Sequence, residues 1–283
     1  MLDADARSVR RVTWHAVSVS GALFDRLPSL LFEAGAAGIH EEDSGRLTAF
    51  FSSQESAAAA AAAVLGTGAA VQVSTVAVPE VDWVSEWRRQ VKPVSVGTMT
   101  IVPPWLVQGA ADERVIVIEP GMGFGTGEHP STRTALLSLQ RCSLGGALVA
   151  DVGTGSGALA IAAARLGARG VVAIESDGDA VRNAARNISL NGLESRVSLV
   201  DGDAGTILPL VGPFDVVVSN ITADVHRELL DSYACSVRRG GRLVLAGILE
   251  AEAPDLLRAA IAQGWVCLEH VAEGDWWSYI LER

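Results

Sequence analysis

Asp151-Val152-Gly153-Thr154-Gly155-Ser156-Gly157 sets three glycines between an apolar run, Ala147 to Ala150, and a helical stretch, Ala158 to Leu166, that Gly167 stops. Few folds accommodate such a segment. A strand, a glycine turn and a helix start bring backbone N–H groups and the positive end of a helix up to a ligand. A side chain at these glycines would block that approach or forbid the φ angles required. The segment therefore predicts a nucleotide-type binding turn at the carboxyl end of a strand.

The surrounding chain extends this unit in both directions. Upstream, the apolar strand Val115 to Glu119 runs into a loop over 120–132, with Gly121, Gly123, Gly125 and Gly127, too glycine-rich for a helix or central strand. Ser131 and Thr132 are expected to cap a helix reaching Arg141. Downstream, a strand over Val171 to Ile174 ends in Glu175, about 20 residues beyond the glycines, where a carboxylate holds a ribose hydroxyl pair. A helix over 179–191, a strand over 197–200 followed by Asp201 and Asp203, and a strand over 214–219 ending at Asn220 come next. A helix over 224–238, a Gly240-Gly241 turn, a strand over 242–247 and a helix over 251–263 follow. Strands over 265–272 and 276–281 close the chain around Glu273-Gly274-Asp275, a hairpin signal. Alternating strands and helices predict a doubly wound, mostly parallel α/β sheet with an antiparallel edge.

The first 78 residues read differently. Strands over 11–19, 37–41, 47–51 and 71–78 alternate with a helix around Leu23 to Leu31 and an alanine-rich helix over 53–65, the β-α-β-β-α-β order of a ferredoxin-like domain. Asp43-Ser44-Gly45 is the turn signal between the second and third strands. A linker over 79–105 carries Asp82, Trp83 and Trp87 at the spacing of a capped helix, so the expected division is 1–78, 79–105 and 106–283.

Composition narrows the function classes. A net charge of −11 over 283 residues argues against nonspecific nucleic-acid coating. No apolar run reaches the roughly 18 residues of a membrane span, and the acidic start Met1-Leu2-Asp3-Ala4-Asp5 is unlike a signal peptide. Cys142, Cys235 and Cys267 fit neither a disulfide framework nor a metal cluster, which suits a reducing cytoplasm. No metal site, membrane contact or direct nucleic-acid contact is expected.

Gly153, Gly155 and Ala158 also satisfy the G-x-G-x-x-G/A dinucleotide pattern, so an NAD-dependent oxidoreductase is a second reading. Asp151 before the glycines, Asn220 at the tip of the fourth strand and the closing antiparallel hairpin favour S-adenosylmethionine instead. Three segments, Pro120-Gly-Met-Gly-Phe-Gly-Thr-Gly-Glu-His-Pro-Ser-Thr132, Asp151 to Gly157 and Asn220-Ile-Thr-Ala223, resemble the signature of the PrmA-type ribosomal protein L eleven methyltransferases. The resemblance covers nearly the whole chain, including the Asp82 to Trp87 connector and Gly240-Gly241. Departures are mild: Gly123 stands for a usual alanine, Glu128 and Ser131 for threonines, Thr154 for a cysteine, Glu175 for an aspartate and Thr222 for a leucine.

The resemblance implies methyl transfer from S-adenosylmethionine to the N-terminal α-amine and lysine ε-amines of a large-subunit ribosomal protein, by a cytoplasmic monomer whose first domain recognises the substrate. It implies these site residues. Gly153 and Gly155 pass the amino-acid part of the cofactor, and Asp151 receives its ammonium directly or through water. Glu175 accepts the ribose hydroxyls, Thr132 lies near the cofactor carboxylate, Phe124 packs over the cofactor and Asp203 meets the adenine amine. Asn220 orients the target amine through its side-chain carbonyl. His129 is a hydrogen-bonding member of the loop, and no general base stands out. A different protein substrate, or a ribosome-associated module with a vestigial cofactor site, are the remaining alternatives.

Overall fold

In the computed structural model, which describes residues 14–21, 26–42, 46–77, 91–107, 112–120, 125 and 127–283, the chain divides into two units, 1–90 and 91–283. Phe124, the connector residues Asp82, Trp83 and Trp87, and the Asp43-Ser44-Gly45 turn lie outside the described residues.

In the first unit, β1 (His15–Gly21), β2 (Gly38–Glu42), β3 (Arg46–Phe51) and β4 (Val71–Ala77) form an antiparallel sheet in the order β2-β3-β1-β4. The inward residues Val17, Val19, Leu47, Ala49 and Phe51 alternate along the strands, as a half-buried sheet requires. They form one core with Leu27 and Leu31 of α1 (Leu27–Glu33) and Ala57, Ala60 and Val64 of α2 (Gln54–Gly66). Ser53 caps α2 by accepting the Ser56 N–H, so the alanine run is an ordinary packed helix.

In the second unit, β5 (Val94–Val96) and β6 (Met99–Val102) pair with each other, and β6 runs parallel to β7 (Val115–Val117). These two strands fall within the 79–105 stretch read as a linker yet belong to this unit, and the two units divide at Gln90/Val91. The main sheet has seven strands: β8 (Leu148–Val152), β9 (Gly170–Glu175), β10 (Val197–Asp201), β11 (Phe214–Asn220), β12 (Val237–Leu249), β13 (Val266–Glu273) and β14 (Trp276–Glu282). Their order is β10-β9-β8-β11-β12-β14-β13, parallel except for β14, which lies reversed between β12 and β13.

Both faces of the sheet are covered. Val216 and Val218 of β11 and Val244 and Ala246 of β12 face one core, while Val217, Leu243 and Leu245 face the other. The helices are α3 (Pro130–Gln140), α4 (Ala158–Arg165), α5 (Gly178–Leu190), α6 (Ala204–Val211), α7 (Ala223–Ser236) and α8 (Ala253–Ala262). In α4 every residue from Ala158 to Ala164 is buried, and small side chains let this helix sit close on the sheet behind the glycine turn.

Two local expectations change. Gly240-Gly241 does not end a turn before a strand: β12 already starts at Val237, and its register against β11 jumps from the Phe214/Val237 pair to the Val216/Arg242 pair, so the glycines lie in an irregularity within the strand. Residues 204–211 form a helix, capped by Asp203, that Gly205 and Pro209 disguise in the sequence. Among the described residues no helix is long and apolar enough to cross a membrane.

Candidate active site

The glycine turn hooks back onto its neighbour strand. The Gly153 and Thr154 N–H groups both donate to the Ile174 carbonyl, at 2.9 and 3.1 Å. Gly153 has φ +68°, and a Cβ there would lie 2.6 Å from the Ile221 side chain, so only glycine fits. Two carboxylates brace the turn. Glu175 accepts the Gly155 N–H at 2.9 Å and, through its other oxygen, those of Ser176 and Asp177. Asp151 is fully buried and accepts from the Thr154 hydroxyl at 2.6 Å and the Ala160 N–H at 2.9 Å.

Asp151 also has a structural role. It does not line the cavity, and one of its oxygens ties β8 to the turn and to α4. Its second oxygen, Oδ1, is buried without a hydrogen-bond partner in the protein. Burial pushes this carboxyl up to about 7, against the bonds from Thr154 and Ala160 and with a smaller push from the Glu175 charge.

The root of the glycine-rich loop is held by a ladder of asparagines on α5. Asn191 exchanges bonds with both backbone groups of Val117, at 3.0 and 2.7 Å. Asn187 accepts the Glu119 N–H at 2.8 Å, and Asn183 donates to the Glu119 carbonyl at 3.2 Å. At i, i+4 and i+8 these side chains share one helix face and serve the chain after β7 as a neighbouring strand would. Asn187 also donates to the Ser156 carbonyl at 2.8 Å, linking loop root to glycine turn. Further along, the Ser156 hydroxyl donates to the Gly125 carbonyl at 3.0 Å.

His129, rather than Ser131 or Thr132, caps α3: its Nδ1 accepts the Ser131 N–H at 3.3 Å and meets the Ser131 hydroxyl at 2.8 Å. Pro130 takes the first helical position, where a missing N–H costs nothing. The His129 ring stands edge-on to Trp276 with centroids 4.6 Å apart, and Arg133 joins the Glu128 carbonyl to Glu273. Thr132 is buried and lines the cavity, and its hydroxyl has no hydrogen-bond partner in the protein.

A cavity of about 690 Å³ opens above these strand ends. Thr132, Gly153, Gly155, Glu175, Asp203 and Asn220, six of the eight expected residues, line it together. Asp203 is exposed and caps α6 through Oδ1, which accepts from the Thr206 N–H and hydroxyl. The buried Asn220 Oδ1 has no protein partner. Among the described residues the walls carry Glu175, Asp177, Asp203 and Glu228 but no lysine or arginine. Such a cavity suits a cationic ligand and repels a pyrophosphate.

Gly247, Trp276 and the asparagine ladder escaped the sequence reading. Gly247 has φ +80°, and a Cβ there would lie 2.5 Å from the Ile221 carbonyl oxygen and 2.9 Å from Asn220 Oδ1. Gly247→Ala is expected to displace the Asn220–Ile221 peptide. It should lower the midpoint of thermal unfolding, through a φ cost of about 1–2 kcal/mol plus the clash, and should lower turnover at temperatures where the variant stays folded. Wild-type turnover in a folded variant would mean that the peptide moves without consequence.

A parallel sheet with one reversed strand next to its edge, a glycine turn at the carboxyl end of β8 and an acidic ligand cavity define a class I methyltransferase, the class that uses S-adenosylmethionine. The sequence model of the ribosomal protein L11 methyltransferase (PrmA) family matches residues 16–283, and the chain belongs to this family. A ribosomal protein L11 methyltransferase from Thermus thermophilus is 38% identical over 255 residues, covering 90% of this chain and 93% of the relative. One from Gloeobacter violaceus is 39% identical over 206 residues, covering 72% of this chain but 64% of the relative's own length. The crystal structure of a ribosomal protein L11 methylase from Lactobacillus delbrueckii subsp. bulgaricus, 28% identical, aligns with a TM-score of 0.62 over 68% of this chain and 99% of that one.

Proposed function

We propose that this chain transfers methyl groups from S-adenosylmethionine to amino nitrogens of ribosomal protein L11, its N-terminal α-amine and lysine ε-amines. The observation that carries the reading is the cavity, whose described walls hold four carboxylates, no lysine or arginine, and two buried acceptor-capable groups, Thr132 Oγ1 and Asn220 Oδ1, without protein partners. These residues fit a ligand that bears a sulfonium and an ammonium. The same charge pattern weighs against the dinucleotide reading.

Bound there, the cofactor supplies a methyl carbon already activated by the sulfonium charge. The protein's part is position and protonation state. Gly153 and Gly155 keep the turn low enough for the amino-acid portion to pass, Asp151 answers its ammonium from behind the turn, and Thr132 takes its carboxylate. Glu175 holds the ribose hydroxyls and Asp203 the adenine amine; Phe124 packs over the cofactor. Asn220 Oδ1 accepts an N–H of the incoming neutral amine and aims its lone pair at the methyl carbon. The amine's proton leaves to solvent, and partial desolvation at the cavity mouth favours the neutral amine.

The first unit, with its β-α-β-β-α-β order, is in this reading a ferredoxin-like substrate arm and 91–283, which includes the two strands at 94–102, the transferase proper, working as a cytoplasmic monomer. Mass spectrometry of ribosomal proteins incubated with enzyme and isotopically labelled S-adenosylmethionine should place the label on L11 amines. Label on another protein, or none, would overturn the substrate assignment. Removing residues 1–78 should abolish labelling of L11 while leaving S-adenosylhomocysteine binding by calorimetry within about threefold, because the described cavity walls come from 125 onward. Undiminished labelling would remove the substrate-arm role.

A further inference from the structure

Three adjacent strands end directly beneath the cavity. Val152 of β8, Ser219 of β11 and Ala246 of β12 each precede a residue that lines it: Gly153, Asn220 and Gly247. A chain of buried side chains, Tyr233 and His226, leads to Ala246, and Ser219 braces the ends of β8 and β11: the Ser219 hydroxyl donates to the Val152 carbonyl at 3.0 Å. Tyr233 meets His226 Nδ1 at 3.2 Å, and His226 Nε2 lies 2.8 Å from the Ala246 carbonyl oxygen. Ser219, His226 and Tyr233 are all fully buried. A carbonyl oxygen only accepts, so Nε2 carries the hydrogen, and Nδ1 is left to accept the Tyr233 proton.

The chain also reaches the other end of the Asn220 segment. Only Ile221 and Thr222 separate β11 from α7, whose first turn holds His226, and the His226 N–H donates to the Thr222 carbonyl at 3.0 Å. Residues 220–222 are thus held from β11 on one side and, through His226, from β12 on the other. Leucine and phenylalanine would fill the same interior space without desolvating an imidazole and a phenol.

We infer that His226 and Tyr233 are positioning residues for methyl transfer, setting the height and direction of Asn220 by tying the first turn of α7 to Ala246. The inference rests on the role of Asn220 proposed above. Neither side chain touches the cavity, so the effect runs through backbone position and falls on turnover rather than on cofactor affinity.

The test compares Tyr233→Phe, His226→Leu, His226→Gln and Asn220→Ala in the full-length protein, at a temperature well below the lowest melting point of the set. For Tyr233→Phe and His226→Leu, kcat should fall about tenfold or more, while KM for S-adenosylmethionine and affinity for S-adenosylhomocysteine stay within about twofold. His226→Gln, whose amide can still donate to Ala246, should recover part of the loss. Tyr233→Phe removes a single oxygen and keeps the test open if the leucine variant does not fold. Lower melting points with unchanged kcat, or kcat and cofactor affinity falling together, would overturn the inference in favour of plain core packing. If Asn220→Ala is itself fully active, the reading of Asn220 fails. If Asn220→Ala is impaired while the His226 and Tyr233 variants are not, this inference alone fails.

Discussion

Asn220→Ala should lower kcat by about two orders of magnitude while leaving thermal stability unchanged or slightly raised. The two halves of this expectation have one cause. Asn220 Oδ1 is buried at the cavity wall with no hydrogen-bond partner in the protein. Without a ligand, that oxygen is a desolvated acceptor that destabilises the fold, so removing it costs nothing and relieves about 1–3 kcal/mol of unmet desolvation. In the proposed reaction, it is the group that accepts an N–H of the amine and fixes the line of attack. Cofactor affinity should change by less than about fivefold, since the turn, Glu175 and Thr132 are untouched. Steady-state kinetics, calorimetry with S-adenosylhomocysteine and a melting curve decide it together. A melting point several degrees lower with proportional losses of kcat and affinity would make Asn220 a packing residue. Asn220→Asp sharpens the test: a carboxylate there favours the protonated, unreactive amine and should also depress kcat at neutral pH, though it is isosteric.

That a site residue is strained or unsatisfied in isolation is also why parts of it could be read from sequence. Glycines where φ is positive and a polar residue at a strand tip are local signals, and they marked Gly153, Gly155, Glu175 and Asn220. The strand and helix pattern likewise announced both sheets. What stayed hidden depends on partners distant in the chain. Asp151 looks like a ligand-binding carboxylate alone, yet one of its oxygens is taken by the N–H of Ala160, nine residues on. Asn183, Asn187 and Asn191 look like an exposed polar face, yet they serve backbone groups of Val117, Glu119 and Ser156 from 31 or more residues earlier. Gly247 has no turn signature; its need for hydrogen in place of Cβ comes from Asn220 and Ile221, which β-pairing brings alongside. Gly205 and Pro209 masked α6 because propensity is weaker than the cap by Asp203 and the packing of Leu208.

Two fully buried titratable groups should give opposed pH dependences of stability that nearly cancel in the wild type. Asp151 has its carboxyl pushed up to about 7 by burial, from an ordinary 3.8. Between about pH 4 and 7 the folded protein keeps a proton that the unfolded chain releases. This contribution is complete below pH 4 and disappears as pH rises through 7, on the order of 4 kcal/mol. His226 runs the other way: burial lowers it from 6.5 to about 4, against the bond to Ala246. There the unfolded chain takes up the proton, so its contribution is complete above pH 6.5 and is lost as pH falls through 4, on the order of 3 kcal/mol. Asp151→Asn should unmask the histidine, so that its melting temperature falls clearly more than the wild type's on acidification from pH 6.5 to 4.5. His226→Gln should unmask the aspartate, and its melting temperature should fall as pH rises over the same span. Parallel profiles for all three proteins would show that neither group titrates as its burial requires. Ligand binding reads the same carboxylate independently. A cationic cofactor stabilises ionised Asp151, so binding S-adenosylmethionine to the wild type near pH 6.5 should release a proton, seen as a buffer-dependent binding enthalpy, and Asp151→Asn should abolish that release. A wild-type enthalpy independent of buffer would mean that the unpartnered Oδ1 of Asp151 does not answer the cofactor's charge.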